Sequence, residues 1–167
     1  MLVGDDQGQL LTMLTRLVGA RRAVEVGTFT GYCALCVARG LAGGGSLLCC
    51  DISAQWTAIG AGAWQEAGLA DRIELRIGPA IETLRALAPE PAIDLVFIDA
   101  DKGGYVRYWD ELVPRVRPGG ILLADNVLRS GRVVDQSDTE DDTEALRTFN
   151  DTVAHDDPGA GRHAGGS

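Results

Sequence analysis

Ile93-Asp94-Leu95-Val96-Phe97-Ile98-Asp99-Ala100-Asp101-Lys102 is the stretch whose reading decides the fold. The run 93–98 reads as an apolar strand, the kind a parallel sheet covers with helices on both faces. It ends abruptly on two carboxylates and an amine. In open α/β sheets, ligands bind beyond the carboxyl ends of the strands, so charge massed at that end points to a site. Lys102 is the only lysine in the chain, against fourteen arginines. A guanidinium stays charged at any working pH, so Arg cannot replace a compact amine that must lose its proton. Lys102 is therefore a candidate catalytic base.

Working outward, short apolar runs alternate with helical periodicity. Strands are expected at 23–26, 46–52, 73–77, 93–98 and 121–124, with helices at 32–41, 55–67, 80–87 and 105–113 between them. An amphipathic helix over 9–18 precedes the first strand, with Leu10, Leu14, Leu17 and Val18 on one face. Five strands alternating with helices predict an α/β, doubly wound parallel sheet. Residues 1–150 form the expected folded unit. Residues 151–167, rich in Gly, Asp and His, read as a disordered tail.

Composition narrows the function. The chain has 167 residues, 46% hydrophobic and 23% charged, with a net charge of −9, which argues against a general basic surface for nucleic acid or anionic membrane. Neither a signal peptide nor an apolar stretch near the ~20 residues of a membrane span is expected. Cys33-x-x-Cys36 has no second pair to complete a zinc site, so Cys33, Cys36, Cys49 and Cys50 read as reduced cysteines of a cytoplasmic protein.

The first strand turns into Glu25-Val26-Gly27-Thr28-Phe29-Thr30-Gly31. A dinucleotide loop would read G-x-G-x-x-G. Here the glycines are four apart and an acid ends the strand, which disfavours pyrophosphate and a nicotinamide-dependent dehydrogenase. Asp51 ends the second strand, placed to accept hydrogen bonds from ribose hydroxyls. Acids at both strand ends suit S-adenosylmethionine, whose amino and sulfonium groups are positive. Glu25 pairing with Arg21 or Arg22, and Asp51 capping the next helix, are the structural alternatives. Asp99, Asp125 and Asn126 end strands four and five, and their oxygens suit a hard cation, Mg²⁺ or Ca²⁺.

These motifs in this order resemble the metal-dependent O-methyltransferases of the caffeoyl-CoA and catechol O-methyltransferase family. The similarity covers about 5–150. It rests on Gly8-Gln9, Glu-Val-Gly-Thr-Phe-Thr-Gly-Tyr at 25–32, Cys50-Asp51-Ile52, Gly78-Pro79-Ala80, the Asp99–Lys102 tetrapeptide, and Asp125-Asn126-Val127-Leu128. The resemblance implies a Rossmann-like sheet with cofactor contacts at Glu25, Gly27, Thr28, Phe29, Cys33, Asp51, Ile52, Ala80, Asp99 and Asp101. Cys33 stands where the family has serine, a weaker hydrogen-bond partner. The resemblance implies the same cation ligands, Asp99, Asp125 and Asn126. The expected chemistry is methyl transfer to a hydroxyl of a small phenolic acceptor, a vicinal diphenol, with the cation stabilising the phenolate and Lys102, beside Asp99, taking the proton.

Arg129 and Ser130 follow where the family has an aromatic wall, so an anionic acceptor is expected there. Family members carry further N-terminal helices that contribute to dimers, and two more strands after the fifth. No apolar run after Asn150 supplies those strands, so the usual last two are expected to be missing and strand five to be an open edge. A homodimer is compatible with the resemblance. The rival expectation is an incomplete methyltransferase core that binds cofactor or a partner chain without turnover.

Overall fold

The structure, a computed structural model, describes residues 4–156. Its elements run α1 (Asp5–Leu17), β1 (Arg22–Val26), α2 (Tyr32–Gly40), β2 (Ser46–Asp51), α3 (Ala54–Glu66), β3 (Ile73–Ile77), α4 (Ala80–Arg85), β4 (Ile93–Ile98), α5 (Tyr105–Leu112), β5 (Val116–Ala124) and α6 (Asp141–His155). The strands form one parallel sheet in the order β3-β2-β1-β4-β5. All six residues of β4 are buried. Its side chains alternate: Leu95 and Phe97 pack with Ala23, Leu47 and Cys49 under α1 and α2, while Val96 and Ile98 pack with Val24, Val26 and Cys50 under α4, α5 and α6. Each fully enclosed aliphatic side chain contributes about 1.5–3 kcal/mol, which is why the central strands tolerate almost no polarity.

Asp94 is the exception within β4, and its partners account for it. One oxygen accepts the backbone amides of Arg21 and Arg22, each at 2.8 Å, and the other accepts Arg117 Nε at 2.5 Å. Burial raises its pKa, but Arg117 and the two amides outweigh this and hold the carboxyl below its usual range. The Arg21 and Arg22 amides that reach Asp94 lie at the entry to β1, so this carboxylate ties the starts of β1 and β5 to β4.

The buried face of α1, the start of β5 and a further helix at the end differ from expectation. On α1 the buried residues are Gly8, Leu11 and Thr15, whereas Leu10 and Leu17 are exposed. The face that meets α2 is chosen by fit, with Gly8 close against Tyr32 and Cys36. β5 begins at Val116 rather than Ile121, because a bulge at Pro118-Gly119-Gly120 lets Ile93 pair with Val116 and Leu95 with Ile121. Gly119 takes a φ of 78° to make that turn. Third, α6 is an additional helix, and it runs through residues 151–155, which the composition assigns to the tail. Leu146 and Phe149 are buried on one face, and three acids in the first turn favour its N-terminus. Asp156 then accepts Trp109 Nε1 at 2.6 Å. The rest of the expected tail, 157–167, lies outside the described residues. β5 is a sheet edge among the described residues, as expected. No helix among them is long and apolar enough to cross a membrane.

Candidate active site

The order β2-β1-β4 places the topological switch between β1 and β4, where successive connections leave in opposite directions and a crevice opens at the carboxyl ends. A cleft of about 390 Å³ lies there. Of the expected cofactor residues, Gly27, Phe29, Asp51, Ile52, Ala80, Asp99 and Asp101 line it. Its walls are apolar, with three carboxylates on the lining, which suits a positively charged nucleoside-sized ligand.

The loop after β1 is shaped by the acid that ends β2. Asp51 Oδ2 accepts the amides of Thr28 (2.9 Å) and Phe29 (2.7 Å), and Oδ1 accepts that of Ser53 (2.7 Å). One carboxylate thus fixes both loops that rim the cleft. Phe29 is held at φ 49° and leans on Trp56, with ring centroids 5.1 Å apart. Positive φ on a bulky residue is strain, of the kind that persists where a functional loop over-determines it.

Glu25 and Thr28 do not face the cleft as expected. Glu25 is fully buried, and its Oε2 accepts the thiol of Cys49 at 3.2 Å. Among the described residues no ion pair joins Glu25 to Arg21 or Arg22, whose side chains are exposed while Glu25 is enclosed. Glu25 Oε1 and Thr28 Oγ1 are buried without a hydrogen-bond partner. Burial pushes the Glu25 carboxyl up from 4.5 to about 7; the hydrogen bond from Cys49 opposes this, and the charges of Asp51 and Asp99 add to it. Cys33 is half-buried, and its thiol is pushed above the usual range by burial, with Glu25, Asp99 and Asp125 adding.

The raised pKa of Glu25 has a stability consequence. Below the unfolded value of about 4.5 the group is protonated in both states. As pH rises from there through about 7 the folded state resists ionisation, and stability is lost. The full loss is roughly 3 kcal/mol. Glu25→Gln, which cannot ionise, is expected to gain stability relative to the parent between pH 5 and pH 8 in urea unfolding without ligand. A difference that does not change with pH would exclude a buried, ionising Glu25.

Beyond β4 and β5 lies the second half of the site. Ile98 pairs with Ala124, and the Asp125 amide donates to the Ile98 carbonyl at 2.9 Å, so Asp99 and Asp125 leave adjacent strand ends together. Asn126 is held at φ 59°, its amide donating to Asp125 Oδ1 at 2.7 Å. Among the described residues no three His, Cys, Asp or Glu side chains group as a metal site. The third donor here would be the Asn126 amide oxygen, which with two carboxylates fits a hard cation. Lys102 Nζ reaches Asp99 Oδ1 at 3.1 Å and the Tyr105 hydroxyl at 2.5 Å.

Arg129 is not available to an anionic acceptor as expected. Its guanidinium pairs with Glu140 and Asp142, each at 2.8 Å, at the start of α6. Arg129 and Ser130 both have positive φ, and Ser130 is exposed. Arg147 braces this loop through the carbonyls of Val133 and Asp138, at 2.8 and 2.9 Å, and Asn150 through that of Val127 at 2.9 Å. Sequence reasoning missed Arg107 and Tyr108, which line the cleft from α5, and the Tyr108 hydroxyl donates to Asp101 Oδ1 at 2.7 Å. The available signal was the spacing of Tyr105 and Tyr108 after Lys102, one face of a helix aimed back at the strand ends.

The chain is similar to known proteins in both sequence and fold. A family model described as O-methyltransferase matches residues 1–159. A catechol O-methyltransferase of Niastella koreensis is 36% identical over 150 residues, covering 89% of this chain and 68% of that protein. The O-methyltransferase of Bacillus cereus, solved in complex with S-adenosylhomocysteine, superposes with a TM-score of 0.86 at 34% identity, covering 93% of this chain and 71% of the other. The Streptomyces achromogenes O-methyltransferase of tomaymycin synthesis, solved with S-adenosylmethionine, gives 0.86 at 32% identity over 93% and 71%. The chain belongs to the O-methyltransferase family.

Proposed function

We propose that this chain transfers the methyl group of S-adenosylmethionine to one hydroxyl of a small catechol-like acceptor, assisted by a divalent cation. The observation that carries the reading is the position of Asp99. Its carboxylate lines the nucleoside-sized cleft, takes the only lysine amine, and leaves its strand beside Asp125. Methyl donor, base and cation ligands therefore share one residue. The solved relatives bound to S-adenosylmethionine or S-adenosylhomocysteine support the donor, and the catechol O-methyltransferase relative supports the acceptor class.

In this reading Asp51 and the Gly27 loop hold the donor's nucleoside, and the apolar walls exclude water. A cation held by Asp99, Asp125 and Asn126 would supply positive charge to an ionising phenol and orient both oxygens of a vicinal diol. Lys102 takes the phenolic proton. As the O–CH₃ bond forms, the S–CH₃ bond breaks and its electron pair stays on sulfur. Attack by an anion on a sulfonium neutralises charge, which a dry site favours. Arg129 is engaged by Glu140 and Asp142, so in this reading it is not the anchor for an anionic group on the acceptor.

Calorimetry with S-adenosylmethionine and a methylation assay with catechol test the reading. Binding of the donor, turnover with Mg²⁺, loss on adding EDTA and recovery with excess Mg²⁺ are the expected results. Turnover indifferent to EDTA would remove the cation, and absence of donor binding would remove the whole reading.

A further inference from the structure

We infer that Tyr105 is a positioning residue for Lys102, its buried hydroxyl and the Asp99 carboxylate together directing the amine so that one of its positions is left for the acceptor. This rests on the reading of Lys102 as the base. A lysine ammonium has three N–H groups, and the neutral amine has two and a lone pair. Asp99 Oδ1 accepts one N–H at 3.1 Å and the Tyr105 oxygen accepts a second at 2.5 Å. Only the remaining position is free to exchange a proton. Without both acceptors the ammonium would rotate about its terminal C–N bond, and a proton transfer that depends on direction would lose its geometry.

The hydroxyl is itself fixed. Its single hydrogen has an acceptor in the Asp125 carbonyl at 3.1 Å, with the Ile98 carbonyl at 3.4 Å, which leaves the oxygen lone pairs for Lys102. The ring is fully buried and meets Phe149 edge-on, centroids 5.3 Å apart at 84°. Phe149 in turn meets Trp109 edge-on at 5.8 Å. The amine lies 4.5 Å from the Tyr105 ring centroid but 2.5 Å from its oxygen, so the contact is chiefly with the hydroxyl. Through Asp99 and the Asp125 carbonyl, the amine is registered against both carboxylates expected to hold the cation.

The chain's single lysine makes a direct test possible, because ¹⁵N-lysine labelling yields one side-chain amine signal. The variants are Tyr105→Phe, Lys102→Met, the double substitution, and Phe149→Leu, which loosens the ring packing but keeps the hydroxyl. Tyr105→Phe is expected to lower kcat about tenfold with donor affinity unchanged, the loss of one orienting hydrogen bond. It should also move the lysine signal, which Phe149→Leu should leave in place. Because Tyr105 acts through Lys102, the double variant should be no slower than Lys102→Met alone. Unchanged kcat in Tyr105→Phe, an unmoved lysine signal, or multiplying losses in the double variant would each overturn the inference. A Lys102→Met variant that keeps full turnover would overturn the base reading and this inference with it; a dead Lys102→Met beside a fully active Tyr105→Phe overturns this inference alone. A crystal structure of the unsubstituted protein with S-adenosylhomocysteine, Mg²⁺ and catechol decides the point without any variant. The amine is expected between the Tyr105 hydroxyl and a catechol oxygen, and an amine parted from that hydroxyl would refute the role.

Discussion

Gly27→Ala is expected to abolish binding of S-adenosylmethionine and to destabilise the fold by about 3–5 kcal/mol. Gly27 leaves β1 with φ 91°, a conformation that L side chains rarely adopt. A Cβ there would lie 2.6 Å from the Asp99 carbonyl carbon and closer still to its oxygen. Both atoms are main chain, so no rotamer change relieves the overlap. The ends of β1 and β4 must part, yet the Asp99 amide donates to the Val26 carbonyl at 2.8 Å, and the Gly27 amide donates to that of Cys50 at 2.9 Å. Parting them would move Asp99, which lines the cleft and holds the Lys102 amine. Gly19→Ala separates strain from overlap: Gly19 also has positive φ, at 63°, but nothing lies within 4 Å of the place its Cβ would take. It should cost roughly 1 kcal/mol and leave donor binding intact. Urea unfolding and calorimetry on both variants decide the matter, and equal losses would mean that close approach at Gly27 is unimportant.

The sheet was legible because its evidence is local and periodic. An apolar run such as Leu95–Ile98 admits few readings, and the acids Asp51, Asp99 and Asp125 each sit at a strand end where α/β sheets bind ligands. What was not legible depends on choices that neighbours make. Leu10 and Leu17 share the hydrophobic period of α1, but which face meets α2 is settled by close fit at Gly8 and Thr15. The α6 pattern, with Leu146, Phe149 and Val153 at helical spacing, was present but dilute among acids. Glu25 looked like a cleft carboxylate because it ends a strand; the alternation of β1 turns it into the core beside Cys49 instead. Arg129 looked like a free cation because its partners, Glu140 and Asp142, are eleven and thirteen residues away, where the additional helix begins. Strand ends can be read from periodicity, whereas the direction of a side chain at such an end requires the packed structure.

Lys102→Met is expected to lower kcat with catechol by about 10²–10⁴-fold while leaving the affinity for S-adenosylmethionine unchanged. Two facts separate the expected effects. The cleft is lined by the Gly27 loop, Asp51, Pro79 and Ala80 among others, and Lys102 is not among the residues that line it. The amine instead contacts Asp99 and Tyr105, on the side of Asp125 and Asn126. Methionine keeps an unbranched stem that fills similar space, so the substitution removes the amine, the proposed proton acceptor, with little change in packing. A phenol of pKa ~10 is almost wholly protonated at neutral pH, so a turnover that depends on its ionisation should fall when the base is gone. Lys102→Arg should not restore it: guanidinium keeps the charge beside Asp99 but does not give up its proton. That pair of variants distinguishes a base from a structural cation. If Arg restores turnover, Lys102 serves only to balance Asp99; if Arg is as slow as Met, the lone amine among fourteen guanidinium groups is present for its proton.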